Sequence, residues 1–346
     1  MSRLTRCLAA LALLSTGSAA LAFLRSTSDS GQALWWRPRQ IAFQVNANAF
    51  TGTGCDGPAA AAAAVRESLP AWMSAAQSGQ TACTDFKFGD CGDTTRADLG
   101  LDLENRHNSV NLVVFRKGNC SAISDSICHP ADPNELGPCV EKYNCWEDGD
   151  REHSADAIAL TTVQHVVSTG EIVDADMELN GWNGSLAAPT GFYFTCASPG
   201  AGITVPCPSF GASNCIQYDV RSTVTHEAGH MLGLDHVCRT SRTPGSGDCP
   251  AGGSVMAPTA EPGDTDKRTL RQDDVSGVCT IYPTGGPTLT SSGNAAVSSP
   301  QACPSGEKSG CSSGGASTMS LLGLGVFLLR RSRRSRSAAE LSARGA

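Results

Sequence analysis

Three histidines and one glutamate in the second half of this 346-residue chain stand at a spacing that suits metal chemistry. Helical residues four apart share a face, so His226 and His230 can direct ring nitrogens to one ion. Gly233 can take the left-handed conformation that ends a helix, which lets His236 return as a third nitrogen ligand. Three such ligands leave one position of a zinc ion open for water, and Glu227 can take the proton of that water. The spacing predicts hydrolysis with Zn2+ as cofactor and Glu227 as general base and acid.

A second segment, residues 253–258, resembles the Met-turn that follows the long zinc motif in the metzincin clan. In that clan the methionine, here Met256, forms an apolar floor beneath the metal. Pro258 stands two places later and favours the matrixin branch. The resemblance extends over residues 35–283, with supporting likeness in the opening strand, an alanine-rich helix and a closing helix.

The matrixin resemblance implies an α+β zincin domain with a twisted, mostly parallel sheet, an antiparallel edge strand, an active-site helix and a closing C-terminal helix. Its site residues would be His226, His230 and His236 for zinc, with Gly233, Met256 and Pro258 in support. It also implies a zinc endopeptidase with protein or peptide substrates. Val237 and Cys238 follow the third histidine where matrixins usually carry serine, and the cysteine-switch propeptide of the family is absent.

Hydrophobic patterns predict the elements that position this site. Residues 110–115 and 156–163 are rich in apolar and β-branched side chains and indicate strands. Residues 172–180 alternate acidic and apolar side chains, which predicts a half-exposed strand. By resemblance this is the edge strand, where Asp174, Ala175, Asp176 and Met177 would hold an extended substrate. Asp219 is the expected N-cap of an active-site helix over residues 220–232.

Further metal ions are an open question in the sequence. Asp174, Asp176 and Glu178 alternate on one strand face, and His153, Asp156 and His165 lie in the region where matrixins hold structural zinc and calcium. A Ca2+ or a second Zn2+ would suit them, although the matrixin spacing is not reproduced. The alternative is a solvated acidic strand face.

The two ends predict an exported protein. Residues 1–22 combine two arginines, an apolar run and a small-residue pattern, as in a secretory signal peptide, and a short segment over 23–34 precedes the domain. A linker rich in Gly, Ser and Pro covers residues 284–318, and a hydrophobic, arginine-rich tail covers 319–346. With Cys311 before it, this tail resembles myxobacterial C-terminal sorting segments, which implies processing near that cysteine by dedicated machinery. The alternative is a single-pass membrane anchor.

Cysteine usage indicates an oxidising compartment. Thirteen cysteines lie between Cys55 and Cys279, and adding Cys303 gives an even number that leaves Cys311 unpaired. One unpaired thiol within the domain is equally compatible with the count. Cys55 is expected in a disulfide and not in a latency switch. Cys238 with Cys249 is one attractive pair, and residues 120–150 and 191–215 read as disulfide-pinned insertions.

Charge excludes one class of partner. The chain has 26 basic and 33 acidic residues, and setting aside eight arginines and Glu340 in the two ends leaves 18 against 32. Such an acidic domain argues against binding nucleic acid. The expected location is the medium or the outer surface of a bacterium, with membrane association through the tail and signal peptidase among the partners.

Two other functions remain to be weighed. One is a surface binding protein on a metzincin scaffold that has lost catalysis, against which the intact Glu227 argues. The other is a purely structural zinc site, which would need a fourth protein ligand such as Cys238.

Overall fold

The protein is described by a computed structural model, which covers the central domain and one C-terminal segment. The described residues are 23–52, 54–77, 79–100, 110–130, 137–148, 153–154, 156–185, 190–197, 217–238, 254–304 and 337–343.

A mixed β-sheet forms the centre of the described domain. The strands in chain order are β1 Leu24–Arg25, β2 Trp35–Trp36, β3 Gln40–Asn46, β4 Lys87–Asp93, β5 Asn111–Lys117, β6 Ala157–His165, β7 Glu171–Gly181, β8 Phe194–Thr195, β9 Tyr218–Asp219, β10 Leu234–Asp235, β11 Thr259–Ala260, β12 Thr288–Thr290, β13 Gly293–Ala295 and β14 Ser337–Ala343. The main sheet has the order β11-β14-β6-β7-β5-β3-β4, and β2 pairs with β7. Strands β4, β3, β5 and β7 run parallel, whereas β6 is antiparallel to β7. The mostly parallel sheet agrees with the predicted architecture, whereas the antiparallel strand β6 lies between β14 and β7 and not at the edge of the sheet.

Helices follow the points where the sequence supplies start signals. They are α1 Pro58–Ser68, α2 Pro70–Met73, α3 Gly137–Tyr143, α4 Val220–Met231 and α5 Gln272–Ile281, with short 3₁₀ turns at Cys120–Ala122, Ser126–Cys128 and Asp266–Arg268. Proline opens α1 and α2, where its missing N–H costs nothing. Asp219 caps α4 by accepting a hydrogen bond from the Ser222 amide at 2.6 Å, which confirms the predicted cap.

The apolar core joins α1, α4 and α5 to the sheet. Its largest fully buried side chains include Trp36, Trp72, Phe115 and Tyr282. The alanines on the inner face of α1 let that helix approach α4 closely. Burial of large apolar side chains contributes about 1.5–3 kcal/mol each, so these aromatic residues stabilise the packing on which α4 depends.

Several predicted elements are confirmed. Strands β5 and β6 fall where apolar runs predicted them, β3 lies in the segment that resembled the opening strand of a matrixin domain, and the alanine-rich stretch forms α1 and α2. Helix α5 is the expected closing helix, and α4 ends one residue before the predicted limit. These elements have strong local patterns, which is why the sequence locates them well.

The prediction for residues 172–180 is wrong in two respects. Strand β7 is an interior strand between β5 and β6, so it is not the sheet edge. It is also buried on both faces, and Asp174, Asp176 and Glu178 are each 1% exposed. The acidic residues therefore do not form a solvated face. Asp176 and Glu178 are held inside by partners from other segments, which alternation along the chain does not reveal, whereas Asp174 lies against Asp176 of its own strand.

Disulfides brace the domain. The described pairs are Cys55–Cys196, Cys83–Cys279, Cys91–Cys303, Cys120–Cys145 and Cys128–Cys139. The disulfide role of Cys55 and the inclusion of Cys303 are confirmed, and two bridges pin the first predicted insertion. Cys238 is also disulfide-bonded. Its predicted partner Cys249 lies outside the described residues, as does most of the second insertion, so that pairing stays a prediction.

Both flanks of the predicted 35–283 domain contribute to the described structure. Strand β1 pairs with β10 beside the third histidine, and β12 and β13 form a hairpin. The predicted signal peptide, Cys311 and the apolar run 319–329 lie outside the described residues. Within the described part of the chain, we find no helix with the length and apolar character needed to cross a membrane.

Candidate metal centre

The three predicted histidines converge. The Nε2 atoms of His226, His230 and His236 lie 3.2 Å from one another in each of the three pairings. Tetrahedral zinc with Zn–N bonds of about 2.0–2.1 Å requires its nitrogens to lie about 3.3 Å apart. The three atoms therefore form one face of a tetrahedron of the right size for zinc.

Backbone carbonyls orient two of the rings. The Nδ1 atom of His226 lies 2.5 Å from the Val255 carbonyl oxygen, and Nδ1 of His230 lies 2.8 Å from the Leu234 carbonyl oxygen. In each pair Nδ1–H donates, which leaves the Nε2 lone pair free for a metal. Burial lowers the pKa of all three histidines, to about 4 for His230 and about 2 for His236. They are consequently neutral at pH 7, as metal ligation requires.

The turn after α4 delivers the third histidine. Gly233 has φ of 86°, a left-handed conformation that glycine adopts without strain, and its amide donates to the His230 carbonyl. The Tyr282 hydroxyl donates to the Leu232 carbonyl at 2.9 Å and accepts from the Trp36 amide at 3.1 Å. These bonds tie the end of α4 to α5 and β2, so the direction of the turn is fixed by buried partners.

The carboxylate of Glu227 is fully buried on α4 beside the ligand His226. The Thr161 hydroxyl on β6 donates to Oε2 of Glu227 at 2.7 Å, and also lies 3.2 Å from the Glu227 carbonyl oxygen. Thr161 thus holds the carboxylate from the sheet side. Sequence reasoning predicted its strand but not this contact, because nothing local distinguishes it from its neighbour Thr162.

The turn around Met256 packs against α4, which carries two of the histidines. Met256 is 1% exposed, and a Cβ atom added to Gly229 of α4 would come within 2.3 Å of the Met256 sulfur. The helix therefore rests on the methionine through a glycine. Asp274 of α5 anchors the turn by accepting from the Ser254 hydroxyl at 2.7 Å and the Val255 amide at 3.0 Å.

Pro258 connects this turn to β11 and is buried. A supporting role for Pro258 at the metal stays a prediction. The Asp274 anchor was not foreseen. The sequence did offer one signal for this residue, an acidic side chain at the third position of the closing helix. Asp274 accepts a hydrogen bond from the Arg271 amide there and so also caps the helix.

A buried lysine adjoins the site. Lys267 is 4% exposed, donates to the Ala257 carbonyl and places Nζ 3.3 Å from Nδ1 of His226. Burial lowers the pKa of Lys267 to about 7. Its charge lies behind the histidine ring and adds to the effect that keeps His226 neutral.

The other predicted metal residues are not gathered into a site in the described part of the chain. There, two groups of potential ligands come together: the histidine trio, and Cys120, Cys139 and Cys145, which are held in disulfides. Glu178 is bound by Arg116 at 2.6 Å and by His153 at 2.9 Å. Asp176 accepts from the Gly100 and Leu112 amides.

The remaining positions near the third ligand have structural roles. Asp235 accepts from the His236 amide at 2.7 Å, so it fixes the backbone of the ligand. Cys238 is disulfide-bonded and cannot be the thiolate that a closed, four-ligand zinc site would need. This weakens the purely structural alternative.

Comparison with known proteins gives one family match. No curated protein matches the chain, whereas residues 148–283 match the family model for matrixin, Peptidase_M10. The matched segment contains the three histidines, Glu227 and Met256. The matrixin match implies the metzincin fold and zinc dependence, and the mixed sheet and converging histidines are consistent with both. Residues 148–283 of this chain are thus similar to a matrixin-type zinc metallopeptidase domain.

Proposed function

We propose that this protein is an exported zinc-dependent endopeptidase. The observation that carries the proposal is the triangle of three Nε2 atoms at 3.2 Å, next to a buried carboxylate on the same helix. Three neutral nitrogens with an available fourth position suit a catalytic zinc better than a structural one.

The chemistry divides between the ion and the chain. Zinc in such a site acts as a Lewis acid that polarises the scissile carbonyl and lowers the pKa of water to about 7. Glu227 accepts the proton of the attacking water through its carboxylate and returns it to the departing amine. Thr161 positions that carboxylate through the bond to Oε2. Attack by water requires no Ser or Cys nucleophile and forms no acyl-enzyme.

Export is part of the same proposal. The described disulfides suggest an extracellular protein. We propose that residues 1–22 direct secretion and that the tail after Cys311 directs sorting or anchoring at the cell surface. Mass spectrometry of the mature ends from the producing cells will check this, and an intact N-terminus at Met1 would contradict it.

The test of catalysis is Glu227→Gln. The variant is expected to bind one equivalent of zinc, because the three ligands are unchanged, and to lose about 10²- to 10⁴-fold in kcat/KM with quenched peptides. The matched control is Glu67→Gln, whose side chain is 61% exposed. Retained hydrolysis in Glu227→Gln would remove the proposed role of Glu227. A parent that binds zinc but cleaves no protein in zymography would favour the alternative of an inactive binding protein.

A further inference from the structure

The C-terminal segment of the chain lies in the main sheet beside the metal centre. Strand β14 pairs antiparallel with β6, from Ser337 opposite Val163 to Ser342 opposite Ala157. On its other side, Ser342 and Ala343 pair parallel with β11. The segment therefore fills the space between β6 and the strand that follows the Met256 turn.

This position is next to the proposed catalytic base. Ala339 of β14 is the register partner of Thr161, the residue that holds Glu227. Strand β14 also lies against α4, which carries Glu227 and two of the histidines. The backbone of the tail consequently passes along the metal centre in an extended conformation.

The position that β14 occupies beside β6 would also suit an extended peptide substrate. Without β14, the strand β6 would be a sheet edge whose amide and carbonyl groups could pair with another chain. Strand addition to such an edge is a general way to hold a peptide, and a peptide bond must be extended and exposed for attack by water. The tail and a substrate would compete for the same backbone groups.

We propose that residues 337–343 act as an intramolecular substrate mimic that closes the cleft, so that the chain is latent until the tail is withdrawn. The proposal rests on the proposed peptidase function. A tethered segment competes at an effective concentration of about millimolar, which an ordinary substrate does not reach. Such a device would keep the peptidase inactive during export.

Removal of the tail would then be linked to sorting. Cys311 precedes β14 in the chain, so a cut near that cysteine releases the strand together with the rest of the tail. Insertion of the apolar run 319–329 into a membrane would also carry residues 337–343 away from the domain. Either event opens β6 only after the protein has reached its destination.

The test uses the full chain with Ala339→Pro and Leu341→Pro combined. Proline removes amide donors from a strand and prevents regular pairing. The matched control is Gly345→Pro, two residues past the end of β14. We expect kcat/KM for quenched peptides to rise by about tenfold or more in the double variant and to stay unchanged in the control. Added peptide with the sequence of residues 337–343 should inhibit the double variant competitively.

Hydrogen exchange provides a readout that does not depend on catalysis. Amides of residues 157–165 should exchange faster in the double variant than in the parent, because β6 loses a partner. Equal exchange and equal hydrolysis in the two would overturn the inference while leaving the peptidase proposal intact. Faster exchange in the double variant, with no hydrolysis by the double variant or the parent, would overturn the peptidase proposal and therefore the proposed latency. It would still show that β14 pairs with β6.

Discussion

At the scale of single residues, spacing along one helix predicts most of the site. The ligands His226 and His230 need only helical geometry, and His236 needs only the turn at Gly233, so local sequence contains the information. Thr161 and Asp274 are different, because each acts across a sequence distance of 66 or 20 residues. Their roles depend on tertiary packing, which a motif does not encode.

The Thr161 contact leads to a prediction for catalysis. Thr161→Val keeps the shape of the side chain but removes the hydroxyl that donates to Glu227. We expect kcat to fall by about 10- to 100-fold with little change in KM and zinc content, because the base is less well placed. Thr161→Ser should recover most of kcat. A loss in both variants, or a change confined to KM, would contradict a positioning role.

Gly229 leads to a prediction for stability. Gly229→Ala forces a Cβ atom to within 2.3 Å of the Met256 sulfur and 2.9 Å of the Trp72 ring. Overpacking of this kind costs about 1–3 kcal/mol, which outweighs the better helix propensity of alanine. Urea unfolding should show the loss. Gly137→Ala, where a Cβ atom meets nothing within 4 Å, is the control and should not destabilise the protein.

At the scale of elements, the chain order of strands does not give their order in the sheet. The alternation in β7 suggested a half-exposed strand and the matrixin resemblance an edge strand, yet β7 lies in the interior and its carboxyl groups are buried. A charged residue can be buried when a distant partner binds it, as Arg116 and His153 bind Glu178. The antiparallel strand beside α4 is β6, whose apolar pattern predicted a strand but not its neighbours.

The buried carboxyl groups of β7 make stability depend on pH. Burial, with the nearby Asp176 charge, raises the pKa of Asp174 well above its usual value, and burial raises that of Asp176 to about 6. A carboxyl group whose pKa is higher in the folded than in the unfolded state stabilises the fold at pH values below its unfolded pKa, near 4. This stabilisation is lost as the pH rises through the pKa of the folded state. Asp174→Asn carries no charge to bury, so we expect its stability relative to the parent to increase from pH 4 to pH 8.

Urea unfolding at several pH values will measure that difference. The control is Asp29→Asn, which removes a carboxyl group from an exposed position and not from the interior. A constant difference between Asp174→Asn and the parent would show that Asp174 is not protonated preferentially in the folded state.

At the scale of the whole molecule, cysteine usage predicted an oxidising compartment, and the described disulfides agree. Pairing itself could not be predicted, because Cys83 and Cys279 are 196 residues apart and meet only through the fold. The same holds for Cys91 and Cys303, which bring part of the predicted linker onto the sheet. Which cysteines meet over such sequence distances is determined by the topology of the fold.

Loop length gives the expected cost of breaking these bridges. In the chain-entropy account, a disulfide stabilises by restricting the unfolded chain, and the effect grows with the loop it closes. Replacing Cys83 and Cys279, 196 residues apart, with serine should cost about 5 kcal/mol. Replacing Cys128 and Cys139, 11 residues apart, should cost about 3 kcal/mol. Denaturant unfolding of both variants under oxidising conditions measures the two values. A larger loss for the short loop would mean that native packing around the bridge, and not chain entropy, determines how much each disulfide stabilises the domain.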